Sequence, residues 1–291
     1  MPQNDKRKAE ENASTKPKRV SIQGYEGSFH QEAARRFFGN DVEVLPCDTF
    51  REVVRLASSR SDSDGGVMAI ENSIAGSILP NYGLLARSNL LIIGEVYLQI
   101  RQHLLVNPGV GLEDIREVHS HPMALQQCID FLDRHRWKLV ETEDTALSAK
   151  RIRQHKSRHT AAIAGRLAAE LFGLHILAPN IHTMRKNHTR FLILQRRQEA
   201  VGNPEADKAS IRFSTDHSRG SLARVLTWIA DGGINLSKLQ SMPIPGSDFK
   251  YSFHADLEFD GLARFNDVLK GIQRMTDEVI VLGTYRKGIL K

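Results

Sequence analysis

Cysteine is scarce in this chain of 291 residues. Cys47 and Cys128 are too few for a disulfide framework or a Cys-rich zinc site. Long apolar runs are missing as well. Nothing approaches the ~18 uninterrupted residues of a membrane helix, and the nearest stretch, Leu90 to Ile100, is broken by Glu95. The first 19 residues are polar and charged, unlike a secretory signal. These absences predict a soluble, cytoplasmic protein with no membrane partner. An excess of one charge is also lacking. Lys+Arg 40 less Asp+Glu 34 leaves +6, of which residues 1–19 supply +3 from six basic and three acidic side chains. The remainder carries +3 without long runs, whereas a nucleic-acid binder shows a basic stripe on its folded part, so no nucleic-acid partner is expected. P-loop, G-x-G-x-x-G and G-x-S-x-G motifs are absent. His119 and His121, and His155 and His159, have metal-like spacings but no third ligand nearby. Neither cofactor nor metal is expected, which favours chemistry that a substrate can nearly do by itself.

What is present is ordinary globular composition, 41% apolar with 21 glycines, and length enough for two domains. Residues 1–18 lack periodicity and are predicted to be a disordered tail. From Arg19 the texture alternates. RVSIQG reads as a strand, GYEGSFHQEAARRFFG as a turn and helix, VEVLPC as a strand, TFREVVRLASS as a helix and GGVMAIENS as a strand. This order predicts an α/β fold with a mainly parallel sheet. LLIIGEVYLQIRQHLLVN is β-like throughout, SHPMALQQC opens a helix with Pro122 in its first turn, and TAAIAGRLAAELFGL reads as an amphipathic helix closing at Gly173. TRFLILQRR is a final strand, and residues 196–207 read as a linker. Residues 208–291 follow a βαββαβ order, the ferredoxin-like arrangement.

Hydroxyl and carboxamide residues recur where strands give way to helices: Ser28 after Gly27, Asn72 and Ser73 after Glu71, Ser120 before His121, and Thr145 after Asp144. Each alone is explained by helix capping. Several at one cleft make a pocket for a small carboxylate or phosphate, because helix N-termini expose unpaired N–H groups. Asn187-His188-Thr189-Arg190-Phe191 stands directly before a hydrophobic strand, and arginine suits bidentate carboxylate binding.

In the segments GYEGSFHQEAA, AIENSIAGS, SHPMALQQC, EDTALSAK, AAIAGRLAAELFGL and above all NHTRFLIL, the chain resembles bacterial prephenate dehydratases with a C-terminal ACT regulatory domain. The likeness runs from about Val20 to Arg286. It implies a two-lobed, periplasmic-binding-protein-like (type II) catalytic domain over residues 19–195, a linker at 196–207 and a ferredoxin-like βαββαβ ACT domain over 208–291. The implied enzyme is a carbon–oxygen lyase of phenylalanine biosynthesis. It takes prephenate to phenylpyruvate with loss of carbon dioxide and water, without cofactor. Arogenate dehydration and a non-catalytic sensor on the same scaffold are the alternatives. By resemblance, Thr189 assists the leaving hydroxyl, Arg190 binds a substrate carboxylate and Phe191 forms an apolar wall. Ser28, Asn72, Ser73, Ser120, Thr145 and Asn187 line the substrate pocket, and Glu71 orients from behind. His188, beside Thr189, is considered as a proton relay.

The resemblance also implies an amino-acid effector, L-phenylalanine, at the loop holding Ser218, Gly220, Ser221 and Leu222. The turn at Asn235 and Leu236, and the motif at Gln240 and Ser241, would complete that site. Gln240-Ser241-Met242-Pro243 stands where the family usually reads Glu-Ser-Arg-Pro. The loss of both charges predicts weaker effector binding or an altered set point. Met123, where the family commonly has Gln, is a smaller departure. A homodimer or homotetramer is expected.

Overall fold

The structure is a computed structural model that describes residues 16–216, 218–244, 246–248 and 250–290. Of the expected tail, residues 1–15 lie outside the described residues, and residues 16–18 are exposed and irregular.

The first sheet is built from β1 (Arg19–Gln23), β2 (Glu43–Cys47), β3 (Gly65–Asn72), the short β4 (Gly76–Ser77), β5 (Leu90–Gln99) and β11 (His188–Arg196), in the order β2-β1-β3-β11-β5 with β4 on β3. Helix α1 (Phe29–Phe38) covers one face; α2 (Phe50–Ser58) and α3 (Leu79–Ala86) cover the other. Val20 and Ile22 pack with Ala33 and Ala34 of α1. Ser21, between them, points the other way and donates to the Val53 carbonyl of α2. That alternation is the period of two of a strand.

The second sheet holds β6 (His103–Val106), β7 (Glu117–Ser120), β8 (Lys138–Glu141), β9 (Thr160–Ala164) and β10 (His175–Ala178), in the order β10-β6-β9-β7-β8. On one side lie α4 (Pro122–Gln127) and α5 (Ile129–Leu132), on the other α6 (Thr145–Gln154) and α7 (Arg166–Phe172). Successive strand residues divide between the two cores: Ala161 and Ile163 face α4 and α5, while Ala162 and Ala164 face α6 and α7.

Three sequence expectations need correction here. The first sheet is mixed, because β11 is antiparallel to both β3 and β5. The β-like run from Leu90 is two strands in different sheets, so the chain changes lobe at residues 100–102 and returns before β11. Thr160–Ala164 is a strand, not the start of the alanine-rich helix; that helix is confined to Arg166–Phe172 and closes at Gly173 in the left-handed region.

The third sheet, β13-β14-β12-β15, is antiparallel and comprises β12 (Lys208–Ser214), β13 (Asn235–Pro243), β14 (Tyr251–Glu258) and β15 (Glu278–Tyr285). With α8 (Ser221–Asp231) and α9 (Leu262–Met275) between strands, the order is βαββαβ, the ferredoxin-like arrangement. Both helices cover one face. The opposite face lies on the first lobe. Leu282 and Tyr285 of β15 share a core with Leu90, Ile92, Leu192 and Leu194, and Met242 packs against it. A Cβ at Gly283 would run into the Ile92 carbonyl, so the backbones approach as closely as glycine permits.

Candidate active site

The two lobes enclose a cleft of about 280 Å³. The first lobe contributes Ser28, Phe29 and His30 from the start of α1, Asn72 from the end of β3, and Thr189 and Phe191 from β11. The second contributes His121 and Met123 at the start of α4, and Glu143, Asp144 and Thr145 at the start of α6. Two glycines let the lobes close on each other, both at positive φ. A Cβ at Gly24 would lie 2.7 Å from Asp144 Oδ2, and one at Gly27 would lie 2.9 Å from Ala168 Cα.

Thr189 and Asn72 sit opposite each other in the β11–β3 ladder. Asn72 Oδ1 accepts from the backbone N–H groups of Ile74 and Ala75, both at 2.9 Å. These bonds fix which end of the amide is the donor. Asn72 Nδ2 therefore donates, at 2.7 Å to Asn187 Oδ1 and at 3.0 Å to Thr189 Oγ1. With its oxygen already accepting, Thr189 has its own proton free to donate.

Two histidines in the lining were not singled out from sequence as site residues. His30 is buried, and burial lowers its pKa to about 3, so the ring is neutral. Its Nε2 accepts from Ala69 N–H at 3.3 Å, and its ring meets Phe191 edge-on at 5.0 Å. His121 caps α4 by accepting from Met123 N–H at Nδ1, which leaves Nε2 as the donor of the neutral ring. His30 follows the cap Ser28 by two residues, and its burial on the apolar face of α1 was the signal available. Asp144 caps α6 through Leu147 N–H at 2.8 Å, and burial raises its pKa against those backbone bonds.

Of the expected site residues, Ser28, Asn72, Thr145, Thr189 and Phe191 meet at this cleft. The others do not line it. Ser73 donates to the Lys186 carbonyl. Ser120 is fully buried and donates to the Ile163 carbonyl at 2.7 Å. Asn187 lies behind Asn72 and lines a neighbouring apolar cavity. His188 lines neither cavity. Glu71 faces the third sheet and pairs with Lys238 at 2.6 Å.

Arg190 is the main correction. Alternation along β11 puts it on the face opposite Thr189 and Phe191. There it is buried against the third sheet, bonded to Glu95 at 2.6 Å, to Asp256 and to the Tyr285 hydroxyl at 3.1 Å. Burial pushes the Asp256 carboxyl up, but the Arg190 guanidinium outweighs it and holds the group below its ordinary value. Arg190 is thus a strut between sheets and not a carboxylate clamp. Among the described residues neither lysine nor arginine lines the cleft.

Of the expected effector residues, Ser218, Gly220, Ser221 and Leu222 surround the start of α8. Gly220 lies in the left-handed region, and Ser221 donates to the Asp216 carbonyl at 2.8 Å. His217 of that loop lies outside the described residues. Asn235 and Leu236 begin β13, with Leu236 against the helix-covered core. Gln240 and Ser241 alternate along β13, so their side chains point to opposite faces. Met242 packs toward the first lobe.

The family model for prephenate dehydratase matches residues 20–199. The chain belongs to the prephenate dehydratase family. Arogenate dehydratase/prephenate dehydratase 2 of Arabidopsis thaliana is 37% identical over 279 residues, covering 92% of this chain and 72% of the relative. The structure of the prephenate dehydratase of Arthrobacter aurescens, in complex with L-Phe, superposes with a TM-score of 0.80 at 28% identity, over 92% of this chain and 90% of that one. GqqA, described as a novel type of quorum quenching acylase, superposes with a TM-score of 0.83 at 29% identity, over 92% of this chain and 98% of that one. Among the described residues no helix is long and apolar enough to cross a membrane.

Proposed function

We propose that the interlobe cleft converts prephenate to phenylpyruvate, carbon dioxide and water. The ring carboxylate leaves as carbon dioxide, and its electron pair enters the ring. The ring hydroxyl departs, takes up a proton from solvent and leaves as water, and the ring becomes aromatic. Thr189 donates a hydrogen bond to the departing oxygen, held in that sense by Asn72. The starts of α1 and α6, at Ser28 and Thr145, offer backbone N–H groups to the carboxylates. Phe29, Phe50, Ile78, Ile100 and Phe191 supply apolar walls. Such walls favour a reaction that discharges a carboxylate as a neutral gas. The observation that carries this reading is the Asn72–Thr189 bond with its fixed donor. Acyl transfer would instead require a hydroxyl activated by a base, and the partner of Thr189 here is an amide donor.

A second substrate has its own support. Glu143 and Asp144 are the charged side chains of the lining, and they suit the ammonium group that arogenate carries in place of the keto group of prephenate. Both substrates are therefore assayed, following phenylpyruvate and phenylalanine. Turnover of one or both, falling at least about 100-fold in Thr189→Val, is expected. Unchanged turnover in that variant would remove Thr189 from the mechanism. Tight binding without product from either substrate would make the chain a sensor.

The catalytic unit in this reading spans residues 19–195, followed by the linker at 196–207. The third sheet and its helices, within residues 208–291, form an ACT domain that takes L-phenylalanine between two copies of the chain, in a homodimer or homotetramer. The enzyme is cytoplasmic.

A further inference from the structure

A second cavity, of about 380 Å³, opens beside the hinge and is lined by Phe29, Glu32, Arg36, Gln99, Arg101, His103 and Arg166. Its three guanidiniums come from three parts of the chain: α1 of the first lobe, the crossing segment, and α7 of the second lobe. Among the described residues none of the three is paired with a carboxylate. Arg101 is held in place. Gln99 Nε2 donates to the Arg185 carbonyl at 2.8 Å, which turns Gln99 Oε1 toward Arg101 Nε and NH2 at 2.9 and 2.6 Å. Arg36 is anchored by donating to the Tyr97 carbonyl at 3.1 Å. His103 is 2% exposed, and its Nδ1 accepts from Asn180 N–H at 3.1 Å, so in the neutral ring the proton is on Nε2. Burial lowers its pKa to about 4, with Arg166 and Arg101 adding to the effect. Donors thus dominate the lining. Glu32 is its one acid, set against three arginines.

We propose that this cavity is a second anion site, distinct from the catalytic cleft, that binds a small multivalent oxyanion (phosphate or a dicarboxylate) across the hinge. Planar guanidinium forks match the oxygens of either. Because Arg36 and Arg166 belong to different lobes, an anion between them ties the lobes together. Phe29 lines both cavities, which puts the anion one side chain away from the cleft.

The test is thermal unfolding of the full chain in inorganic phosphate, and separately in succinate, each against sodium chloride of equal ionic strength. At about 10 mM, one of the two anions should raise Tm by about 3 °C more than chloride does. The anion giving the larger rise identifies the ligand class. The extra rise should vanish in Arg101→Gln and in Arg166→Gln, both at exposed positions, and persist in Thr189→Val. A rise no larger than that of chloride with both anions would overturn the proposal. So would a rise that survives both arginine variants, or one lost in Thr189→Val, which would locate the anion in the catalytic cleft.

Discussion

The direction of the Thr189 hydroxyl follows from the pinning of Asn72, and one substitution isolates it. Asn72→Asp keeps an oxygen for the N–H groups of Ile74 and Ala75 but replaces the Nδ2 donor by a second acceptor. Thr189 must then turn its proton toward the carboxylate and away from the cleft. We expect kcat to fall by about 100-fold or more. Some activity should return as pH drops toward the ordinary aspartate value, about 4, because a protonated acid can donate again. A flat pH profile at wild-type kcat would contradict this. At this scale much of the cleft was legible. Ser28 and Thr145 mark helix starts, and Asn72 and Thr189 mark strand ends, by residue type alone. Residue chemistry alone misplaces Arg190, because an arginine's preference for carboxylates says nothing of the strand's period of two. Phe191 and Thr189 on one face require Arg190 on the other. Ser73 and Ser120 have the right residue type but spend their hydroxyls on carbonyls within their own lobe.

At the scale of elements, β11 faces two ways. Its cleft side carries Thr189 and Phe191; its reverse carries Arg190, Leu192 and Leu194 against the third sheet. Arg190 is the centre of a buried polar cluster in which Lys208 also bonds Glu95 at 3.0 Å and Ser210 bonds Asp256 at 2.5 Å. Removing the guanidinium leaves Asp256 short of its strongest partner and Glu95 with only Lys208 and the Gly288 N–H. Arg190→Ala should therefore cost about 3–5 kcal/mol of stability in urea unfolding. The KM of the protein that remains folded should change little. A KM raised by orders of magnitude at unchanged stability would restore Arg190 as a substrate ligand. Helices α1 and α2 and most strands of the first lobe are readable from periodicity, whereas α3, eight residues that include Pro80 and Gly83, carries no such signal. The division into lobes is not readable either, because the crossing at Ile100, Arg101 and Gln102 has no glycine or proline to interrupt a β-like run. The strand Thr160–Ala164 was hidden by its alanines, which carry helix propensity but are buried on both faces of a sheet.

For the molecule as a whole, a buried neutral histidine stands in or against each of the three sheets: His30 on α1, His103 on β6 and His254 on β14. Burial lowers His30 to about 3, His103 to about 4 and His254 to about 4, with nearby arginines adding to the effect on the last two. An unfolded histidine titrates near 6.5, so below that pH the unfolded chain binds protons that the folded chain refuses. Stability should be complete above about pH 7 and fall as pH drops from 6.5 toward 4, by close to 1.4 kcal/mol per pH unit for His30 alone. Urea midpoints measured at pH 7 and pH 5 should show the loss. His30→Gln, which keeps an acceptor for Ala69 N–H, should remove about a third of it, since His103 and His254 still titrate on unfolding. Equal midpoints would mean that these rings are not protonated on unfolding in that window.

The first lobe is discontinuous: β11 lies between β3 and β5 in the sheet, yet more than eighty residues separate it from β5 in the chain. As the polypeptide leaves the ribosome, all five strands of the second lobe are available once Ala178 has emerged, and its core is complete with Ile181. Until Arg196 follows, the first lobe has two apolar strand edges with no neighbour. Vectorial synthesis therefore closes the inner lobe first, and a ribosome stalled in the stretch between Ile181 and Arg196 would hold an exposed half-sheet.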